Sequence, residues 1–378
     1  MNSQPFRQER TAEARIMVVG CGALGNEVLK NLVLMGVRHI VAVDFDTVES
    51  DNLSRSVLFT QEDAAKGRRK VEVVAERLRA MNPEVEVKTI CGDIGYDVGL
   101  GLIRRMDVVI GCVDSRWARY QINRLCMRAG KPWVDGGIDG LEGTARVFKP
   151  GENCYACNLG PEGLRDLKAR MSCAGVIRRA IAAGKAPTTS IIASVIGAVQ
   201  VQEALKLIHE EETKTGRLTT LCGKMFYYEG EHMTTRVAEF KAYDDDCAEH
   251  DSWQPVIPST LTTKSTVKEM LAWVTTATGT DQIAVSTGND PFVDYICLRQ
   301  DDTKVEVMKP ARAVASFVEH HELLTGIPFS SMYQHEYTTI DAHFPYPELT
   351  LQELGIPASD VLHVLTADKE YFYELSEI

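Results

Sequence analysis

The chain has 378 residues, enough for about two domains, and 44% of them are hydrophobic and 25% charged. This composition is typical of a globular protein, and neither a run of about 18 apolar residues nor an apolar leader is present, so we expect a cytoplasmic protein without a membrane span. The whole net charge of -12 lies in residues 251–378, which contain 19 acidic and 7 basic residues. This imbalance argues against a nucleic-acid partner and favours a partner with a basic face, although a solubilising surface explains it equally well.

Residues 15–134 alternate short apolar strands with amphipathic helices. This order predicts an α/β fold of the Rossmann-like type, a doubly wound and mainly parallel sheet with right-handed crossovers. Strands are expected at RIMVVG, HIVAVD, VEVKTI and MDVVIGCVD, and helices at ALGNEVLKNLVLMG and, as one continuous element, DAAKGRRKVEVVAERLRAM.

Three further segments complete the first predicted domain, residues 1–256. A hairpin-like stretch at residues 141–157 is followed by an irregular basic crossover at about residues 158–187. The sequence TTSIIASVIGAVQVQEALKLI then predicts a long helix that is capped by one of its two threonines. Because this helix is apolar almost all round, we expect it to be buried in the protein, and Gln200 and Glu203 argue against a membrane span.

Residues 257–378 are predicted to form a second, smaller domain of the α+β class. Thr266 with Glu269 and Thr350 with Glu353 each match a capping box, which marks the start of a helix. The segment after Thr350 predicts a short helix, a Gly-Pro turn and a two-stranded hairpin.

A glycine motif joins the first predicted strand to the first helix. Gly20, Gly22 and Gly25 fit the pattern G-x-G-x-x-G, in which glycine lets the backbone approach a phosphate at the amino terminus of a helix. Asp44 ends the next strand, where it can accept hydrogen bonds from ribose hydroxyls. These residues by themselves also fit a nicotinamide dehydrogenase.

A dense set of polar residues follows the second strand and separates the two alternatives. Arginine forms bidentate contacts with phosphate and lysine adds a point charge, so together they suit a triphosphate better than a dinucleotide. We therefore expect ATP. The set consists of Asp46, Asp51, Asn52, Arg55 and Lys70.

Asp114 follows a later strand, at the edge where open parallel sheets bind their ligands. A carboxylate there can hold the Mg²⁺ ion that accompanies a triphosphate. The alternative is that Asp114 only caps the helix that begins with RWARYQINRLCM.

Four potential zinc ligands occur as two pairs, Cys154 with Cys157 and Cys247 with His250. Each pair closes a short loop, and three thiolates with one imidazole suit tetrahedral zinc. Because four protein ligands leave no open position, we expect a structural zinc site that ties the crossover to the end of the first domain.

Several motifs, in this order along the chain, carry a family resemblance. These motifs are GCGALG, VDFDTVESDNLSR, KGRRKVE, GCVDSRWARYQIN and VIGAVQVQEALKL. They resemble the adenylation domain of the E1-like family, which includes the ThiF and MoeB activators of sulfur carriers and the ubiquitin-family activating enzymes. The resemblance implies that the chain uses ATP and Mg²⁺ to adenylate the terminal glycine carboxylate of a ubiquitin-like protein.

The same resemblance implies roles for particular residues. Asp44 would bind the ribose and Asp114 the Mg²⁺ ion, while Arg7, with Arg10 as the alternative, fits the arginine supplied by the partner subunit of a homodimer. The remaining nucleotide-contacting positions are Asn52, Arg55 and Lys70 at the phosphates, with Gly20, Gly22, Ala23, Gly25, Asp46, Asp51, Leu53, Ser54 and Ser115 around them.

Cys173 is the candidate for a second chemical step. It lies in the basic crossover near Arg170 and Arg178, and nearby cations lower the pKa of a thiol. Its position before Pro-Thr-Thr is similar to that of the thioester-forming cysteine in compact activating enzymes. The alternative is an ordinary crossover cysteine with no chemical role.

The carboxy-terminal segment, PELTLQELGIPASDVLHVL followed by KEYFYEL, resembles the end of the ubiquitin-fold domain of activating enzymes. That domain recruits the conjugating (E2) enzyme, and the acidity of residues 251–378 supports the same hypothesis. The alternative is an unrelated α+β module.

The leading hypothesis is therefore a ubiquitin-like-protein activating enzyme that forms an acyl adenylate, transfers the acyl group to Cys173 and passes it to an E2-like partner. A sulfur-carrier adenylyltransferase would lack the lasting thioester, and a non-catalytic scaffold would lack both steps. A nicotinamide dehydrogenase ranks last because it explains neither the cysteine and histidine pairs nor Arg55 and Lys70.

Overall fold

The structure is a computed structural model that describes residues 6–169, 188–240, 243–288 and 290–377. These residues form two compact units. The first contains nearly all of the described residues up to 252, and the second contains residues 253–377 with two short stretches, 99–101 and 161–169.

An eight-stranded sheet is the framework of the first unit. Its strands are β1 (Arg15–Val19), β2 (His39–Val43), β3 (Glu86–Ile90), β4 (Val108–Gly111), β5 (Trp133–Asp139), β6 (Glu142–Phe148), β7 (Lys224–Glu229) and β8 (Thr234–Glu239). The first five strands are parallel in the order β3-β2-β1-β4-β5, and β6, β7 and β8 continue the sheet in antiparallel pairs. This arrangement confirms the predicted Rossmann-like α/β fold.

Helices connect these strands and extend to the end of this part of the chain. They are α1 (Gln8–Glu13), α2 (Ala23–Leu34), α3 (Gln61–Ala65), α4 (Lys70–Met81), α5 (Leu100–Arg104), α6 (Arg116–Ala129), α7 (Gly160–Ala169), α8 (Ser190–Ile208) and α9 (Glu210–Lys214).

Strand β1 is the middle one of the five parallel strands, and its residues Ile16, Met17 and Val18 are fully buried. Ile16 lies opposite Ile40 of β2 on one side and Val108 of β4 on the other. The strand order therefore reverses between β1 and β4. In open α/β sheets, this reversal leaves a crevice at the carboxyl ends of the two strands, and ligands bind there.

Helix α8 is the long apolar helix expected from the sequence. Thr189 caps it by accepting a hydrogen bond from the backbone N–H of Ile192. Within the described residues it is the one helix long and apolar enough to cross a membrane, but 56% of its most apolar window is buried inside the protein. Its residues Ile196 and Leu205 share a hydrophobic core with α2 and the sheet. The helix is thus explained as a core element of the fold.

Two predicted helices differ from the structure. The continuous helix expected over residues 63–81 is wrong, because Gly67 has a positive φ of 56° and separates α3 from α4. A capping box at Thr60 starts α3. The helix expected after Thr350 is also wrong, since its hydrogen bonds to Glu353 form but the segment remains a turn.

The described residues after 252 form two sheets and belong to the predicted α+β class. Their strands are β9 (Val256–Pro258), β10 (Ile283–Ser286), β11 (Phe292–Leu298), β12 (Lys304–Pro310), β13 (Met332–Tyr337), β14 (Thr339–Ile340), β15 (Val361–Thr366) and β16 (Glu370–Glu374), and their helices are α10 (Val267–Thr278) and α11 (Val314–His320). One sheet has the order β14-β10-β15-β16-β9 and the other β12-β11-β13. Helix α10 begins at the predicted capping box of Thr266, and β15 pairs with β16 as the predicted hairpin.

A buried ionic cluster joins β5, β6 and α6. Asp135 of β5 is fully buried, and it accepts hydrogen bonds from Nε of Arg119 and from Nε of Arg146, each at 2.9 Å. Arg119 also donates to the carbonyl of Gly136 at 3.1 Å. Burial by itself would raise the pKa of Asp135, but the charges of Arg146 and Arg119 lower it below its ordinary value. Asp135 therefore stays ionised and fixes α6 to the sheet.

We expect Asp135→Asn to lower the free energy of unfolding by about 3 kcal/mol at neutral pH, because the partly buried guanidinium groups of Arg119 and Arg146 lose their fully buried counter-charge. Because the pKa of Asp135 is lowered in the folded state, the ionised carboxylate stabilises the fold at any pH above the ordinary pKa of an aspartate. This stabilisation is lost as the pH falls through the pKa of the folded state. The difference between variant and wild type should therefore shrink below about pH 4. Urea unfolding at several pH values measures it.

The control is Glu62→Gln, which breaks an exposed ion pair with Lys66 and should leave the urea midpoint unchanged. A loss in Asp135→Asn that is equally large under acidic conditions would contradict the assignment of this cluster.

Candidate active site and metal centre

The turn between β1 and α2 is built from three glycines with different constraints. Gly20 has a φ of 94°, and a Cβ atom there would lie 2.5 Å from the carbonyl oxygen of Cys112. A Cβ at Gly25 would lie 1.9 Å from the carbonyl oxygen of Gly20. Gly22 has open space instead, since a Cβ atom there would meet no other atom within 4 Å. Packing therefore requires Gly20 and Gly25, whereas Gly22 leaves room for a ligand.

The amino terminus of α2 is suited to bind an anion. Its N-cap residue is Gly22, and no side chain caps the helix. The N–H groups of the first turn, which begins at Ala23, therefore have no capping side chain as acceptor. The helix dipole adds positive potential at the same end. The open space at Gly22 lies directly beside these groups, and a phosphate fits both features.

Asp44 connects the glycine turn to the segment after β2. One carboxylate oxygen accepts a hydrogen bond from the backbone N–H of Cys21 at 2.7 Å, and the other accepts from the N–H of Asp46 at 2.8 Å. Burial raises the pKa of Asp44, and the positive charge of Lys70 opposes this effect. The structure thus brings three predicted site residues, Asp44, Asp46 and Lys70, next to the glycine turn.

Lys70 is the first residue of α4 and is only 8% exposed. Its Nζ atom lies 2.7 Å from a carboxylate oxygen of Asp46, and its backbone N–H donates to the carbonyl of Asp46 at 3.0 Å. Asp46 therefore holds both the ammonium group and the backbone of Lys70 at the edge of the site.

A short 3-10 turn at Ser50–Ser54 organises the second group of predicted residues. Asn52 accepts a hydrogen bond from the N–H of Glu49 at 3.0 Å and donates to Asp51 at 3.0 Å. Arg55 donates to the carbonyl of Asp51 at 2.7 Å, and so does the Ser54 hydroxyl at 3.0 Å. Leu53 packs against the core of the first unit. Three of the predicted positions, Asp51, Leu53 and Ser54, thus shape the turn that presents Asn52 and Arg55.

Asn26 is a site residue that the sequence reasoning missed. It is fully buried in α2, and its amide nitrogen donates to the carbonyls of Cys21 at 2.7 Å and Gly22 at 3.0 Å. Its amide oxygen accepts from the backbone N–H of Leu58 at 2.8 Å. Asn26 therefore ties the glycine turn to the segment that follows Arg55. An asparagine directly after the third glycine, on the buried face of a helix, is the signal that could have revealed it.

The segment that leads to Asp114 leaves the sheet beside the glycine turn. The N–H of Cys112 donates to the carbonyl of Val19 at 2.8 Å, which places this segment next to the end of β1. Ser115 caps α6 by accepting a hydrogen bond from the N–H of Ala118 at 3.0 Å. The capping role considered for Asp114 is thus filled by Ser115, and Asp114 is exposed at the edge of the sheet.

Arg7, a predicted catalytic residue, lies at the end of α8 in this chain. The guanidinium group of Arg7 pairs with Glu211 at 2.6 Å, and the backbone N–H of Arg7 donates to His209 at 2.9 Å, so this segment is held at the end of α8. Cys173 lies outside the described residues, and the structure gives no account of it.

The two cysteine and histidine pairs come together as one cluster. All four ligand atoms lie within 4.8 Å of one another. The sulfur of Cys154 lies 3.6 Å from that of Cys157 and 3.9 Å from that of Cys247, and the sulfur of Cys157 lies 3.2 Å from Nε2 of His250. Zinc–sulfur bonds of about 2.3 Å in a tetrahedron place two sulfurs about 3.8 Å apart, so these residues fit a tetrahedral metal ion.

The fold and the site together define the class of E1-like adenylyltransferases. The features that define it are a mainly parallel sheet with a glycine turn where the strand order reverses, a set of charged residues after β2, and a cluster of three cysteines and one histidine. The model of the ThiF family matches residues 3–249, and the chain belongs to the ThiF family. Residues 250–378 lie outside this match.

Relatives with similar sequences carry related names. The chain is 30% identical over 241 residues to the SAMP-activating enzyme E1 of Haloferax volcanii, covering 64% of this chain and 82% of the relative. It is 35% identical over 213 residues to the sulfur carrier protein adenylyltransferase of Thermus thermophilus, covering 54% and 72%. It is 29% identical to the adenylyltransferase and sulfurtransferase MOCS3-1 of Zea mays, and it spans 47% of that relative's length.

Crystal structures of E. coli MccB have a similar fold. The MccB structure with MccA gives a TM-score of 0.52 at 23% identity and covers 65% of this chain and 68% of MccB. The MccB structure with ATP gives 0.51 at 22% identity and covers 64% and 68%. At this level of identity the likeness supports the fold alone.

Substitutions at Gly25 and Gly22 should have different effects on stability. Gly25→Ala should lower the free energy of unfolding by about 3 kcal/mol, because its Cβ atom collides with a backbone carbonyl that cannot move without displacing α2. Gly22→Ala should cost less than about 1 kcal/mol, since the added methyl group points into open space. Thermal and urea unfolding measure both, and equal losses would show that the two positions are not distinct.

Proposed function

We propose that the chain uses ATP to adenylate the terminal glycine carboxylate of a ubiquitin-like protein. A carboxylate oxygen would attack the α-phosphorus of ATP, the bond from that phosphorus to the bridging oxygen would break, and pyrophosphate would leave. The observation that carries the proposal is the almost fully buried Lys70, held beside Asp46 at the edge of an anion-binding helix terminus. A nicotinamide site has no need of a cation in this position.

Each residue of the site has a role in this proposal. The N–H groups of α2 and the open space at Gly22 would receive phosphate oxygens. Lys70 and Arg55 would stabilise the negative charge that grows on the phosphates during attack, and their existing contacts hold them in place before the substrate binds. Asp44 would accept from the ribose hydroxyls with the lone pairs that its two backbone contacts leave free.

Two metal ions belong to the proposal. Asp114 would hold Mg²⁺, which supplies positive charge to the triphosphate, and the role of Ser115 as cap leaves the Asp114 carboxylate available. The cluster of Cys154, Cys157, Cys247 and His250 would hold structural zinc, because its four donors leave no position for a substrate.

Wild-type protein should exchange pyrophosphate with ATP when a matching ubiquitin-like protein is present. Asp114→Ala and Lys70→Ala should each reduce this exchange by roughly a hundredfold or more, because each removes charge stabilisation from the transition state. Lys66→Ala is the control, since Lys66 is exposed and pairs with Glu62. Exchange that survives both substitutions would contradict the roles proposed for Asp114 and Lys70, and no exchange in the wild type would favour a non-catalytic scaffold.

The second part of the proposal is transfer of the acyl group to Cys173 and then to an E2-like partner. It is supported by the resemblance of the crossover sequence and by the acidity of residues 251–378, which suits a basic partner surface. A homodimer would let Arg7 reach the site of the other subunit. Its ion pair with Glu211 is exposed on both sides and is weak enough to be exchanged.

A sulfur-carrier adenylyltransferase is the second candidate, and the name of the Thermus thermophilus relative favours it. The two candidates differ in one product. A ubiquitin-like-protein activating enzyme forms a conjugate that thiol reagents cleave, and Cys173→Ser should either abolish it or convert it to a reagent-resistant ester while leaving pyrophosphate exchange intact. Non-reducing gels measure the conjugate, with Cys91→Ser as control because Cys91 is an exposed cysteine. No conjugate in wild type, or one unchanged in Cys173→Ser, would exclude this role.

A further inference from the structure

Helix α6 contacts the first half of the cysteine and histidine cluster through a buried amide. The side-chain oxygen of Asn123, which is fully buried, accepts a hydrogen bond from the backbone N–H of Tyr155 at 3.0 Å. Tyr155 lies between Cys154 and Cys157. The same oxygen accepts from the indole N–H of Trp133 at 3.3 Å, which fixes its orientation. Asn123 therefore holds the loop that carries the first two ligands.

The same helix contacts the second half of the cluster. The hydroxyl of Tyr120 donates a hydrogen bond to Glu249, which lies between Cys247 and His250. Tyr120 is only 2% exposed and Glu249 is half-buried, so this bond is partly shielded from water. Tyr120 and Asn123 are three residues apart and thus lie on one face of the helix. One face of α6 thus contacts both loops that carry the ligand pairs, at Tyr155 and at Glu249, although the two pairs are about ninety residues apart in the chain.

The amino terminus of α6 lies next to Asp114, the candidate Mg²⁺ ligand. Helix α6 begins at Arg116, two residues after Asp114, and its first turn is closed by the Ser115 cap. The contact of Arg119 with Asp135 fixes the next turn to β5. A capped helix of this length moves as one body of about 21 Å, so a force on Tyr120 and Asn123 changes the position of its amino terminus.

We propose that Tyr120 and Asn123 are positioning residues that couple a metal ion in the cluster to the placement of Asp114, so that metal and Mg²⁺–ATP strengthen each other's binding. This inference rests on the proposed function. Without a metal, the two ligand pairs contact each other directly through weak thiol and imidazole contacts. A bound ion would join them firmly, and Tyr155 and Glu249, which neighbour the ligands in the chain, would then hold α6 at two points of one face.

Thermodynamic linkage gives the inference a direct test that does not depend on turnover. If the metal raises the affinity for Mg²⁺–ATP, then Mg²⁺–ATP must raise the affinity for the metal by the same factor. The full chain is purified with zinc, and its zinc affinity is measured by competition with a zinc-selective chelator, with and without Mg²⁺–ATP. We expect Mg²⁺–ATP to raise the zinc affinity roughly fivefold in the wild type.

Tyr120→Phe should lower the zinc affinity about tenfold and reduce the effect of Mg²⁺–ATP to less than about twofold. Tyr227→Phe is the matched control, because Tyr227 also has a hydrogen bond to a carboxylate, that of Glu142, but lies away from α6. It should behave as wild type. Glu249→Ala removes the same contact from its less buried side, so it should reproduce Tyr120→Phe and add nothing to it in the double variant.

The outcomes separate this inference from the proposed function. If calorimetry shows that wild type binds Mg²⁺–ATP but its zinc affinity does not change, the coupling is wrong and the proposed adenylation stands. If Tyr120→Phe and Glu249→Ala keep the full effect of Mg²⁺–ATP, the coupling does not pass through this contact and the inference is wrong. If wild type binds zinc but no Mg²⁺–ATP, the proposed function itself fails.

Discussion

The close approach of three backbone segments at the carboxyl ends of β1 and β4 determines where the rest of the site can lie. The carbonyl of Gly20 packs under the first turn of α2, and the carbonyl of Cys112 packs against Gly20, so neither contact leaves room for a side chain. Helix α2 is thereby fixed with its amino terminus uncovered, and the segment leading to Asp114 is fixed beside it. The uncapped terminus of α2 and the segment that leads to the exposed Asp114 thus lie side by side as a result of backbone packing.

Polar side chains that stabilise the fold also prepare this crevice for chemistry. Asn26 and Asp44 satisfy backbone groups of the glycine turn, while Asp46 and the 3-10 turn hold Lys70 and Arg55. A site that is organised by its own contacts needs little rearrangement when substrate charge develops, and this is the main source of electrostatic stabilisation in enzymes. The same contacts explain why folding and the proposed catalysis are difficult to separate at Asp44, and easier to separate at Gly22.

The sequence predicted what depends on local spacing and missed what depends on pairing across the fold. The strands, α2 and α8 follow from hydrophobic periodicity, and the two ligand pairs follow from short fixed spacings around Cys154 and Cys247. The break between α3 and α4 was missed because a glycine inside a periodic stretch is usually tolerated, although the capping box at Thr60 was visible. Asn26 had only its position after the third glycine as a signal, because its partner Leu58 is 32 residues away. Asp135 could not be predicted, since its partners Arg119 and Arg146 come from two other elements.

Ser115 caps α6, and the neighbouring Asp114 has the proposed chemical role. Ser115 alone closes the first turn of α6, so a change at Asp114 does not fray the helix. A single base substitution in that codon can therefore remove the proposed chemistry and still leave a folded chain with its surfaces intact. In the proposed enzyme, one substitution at Asp114 would thus leave a protein that still binds its partner but no longer adenylates it.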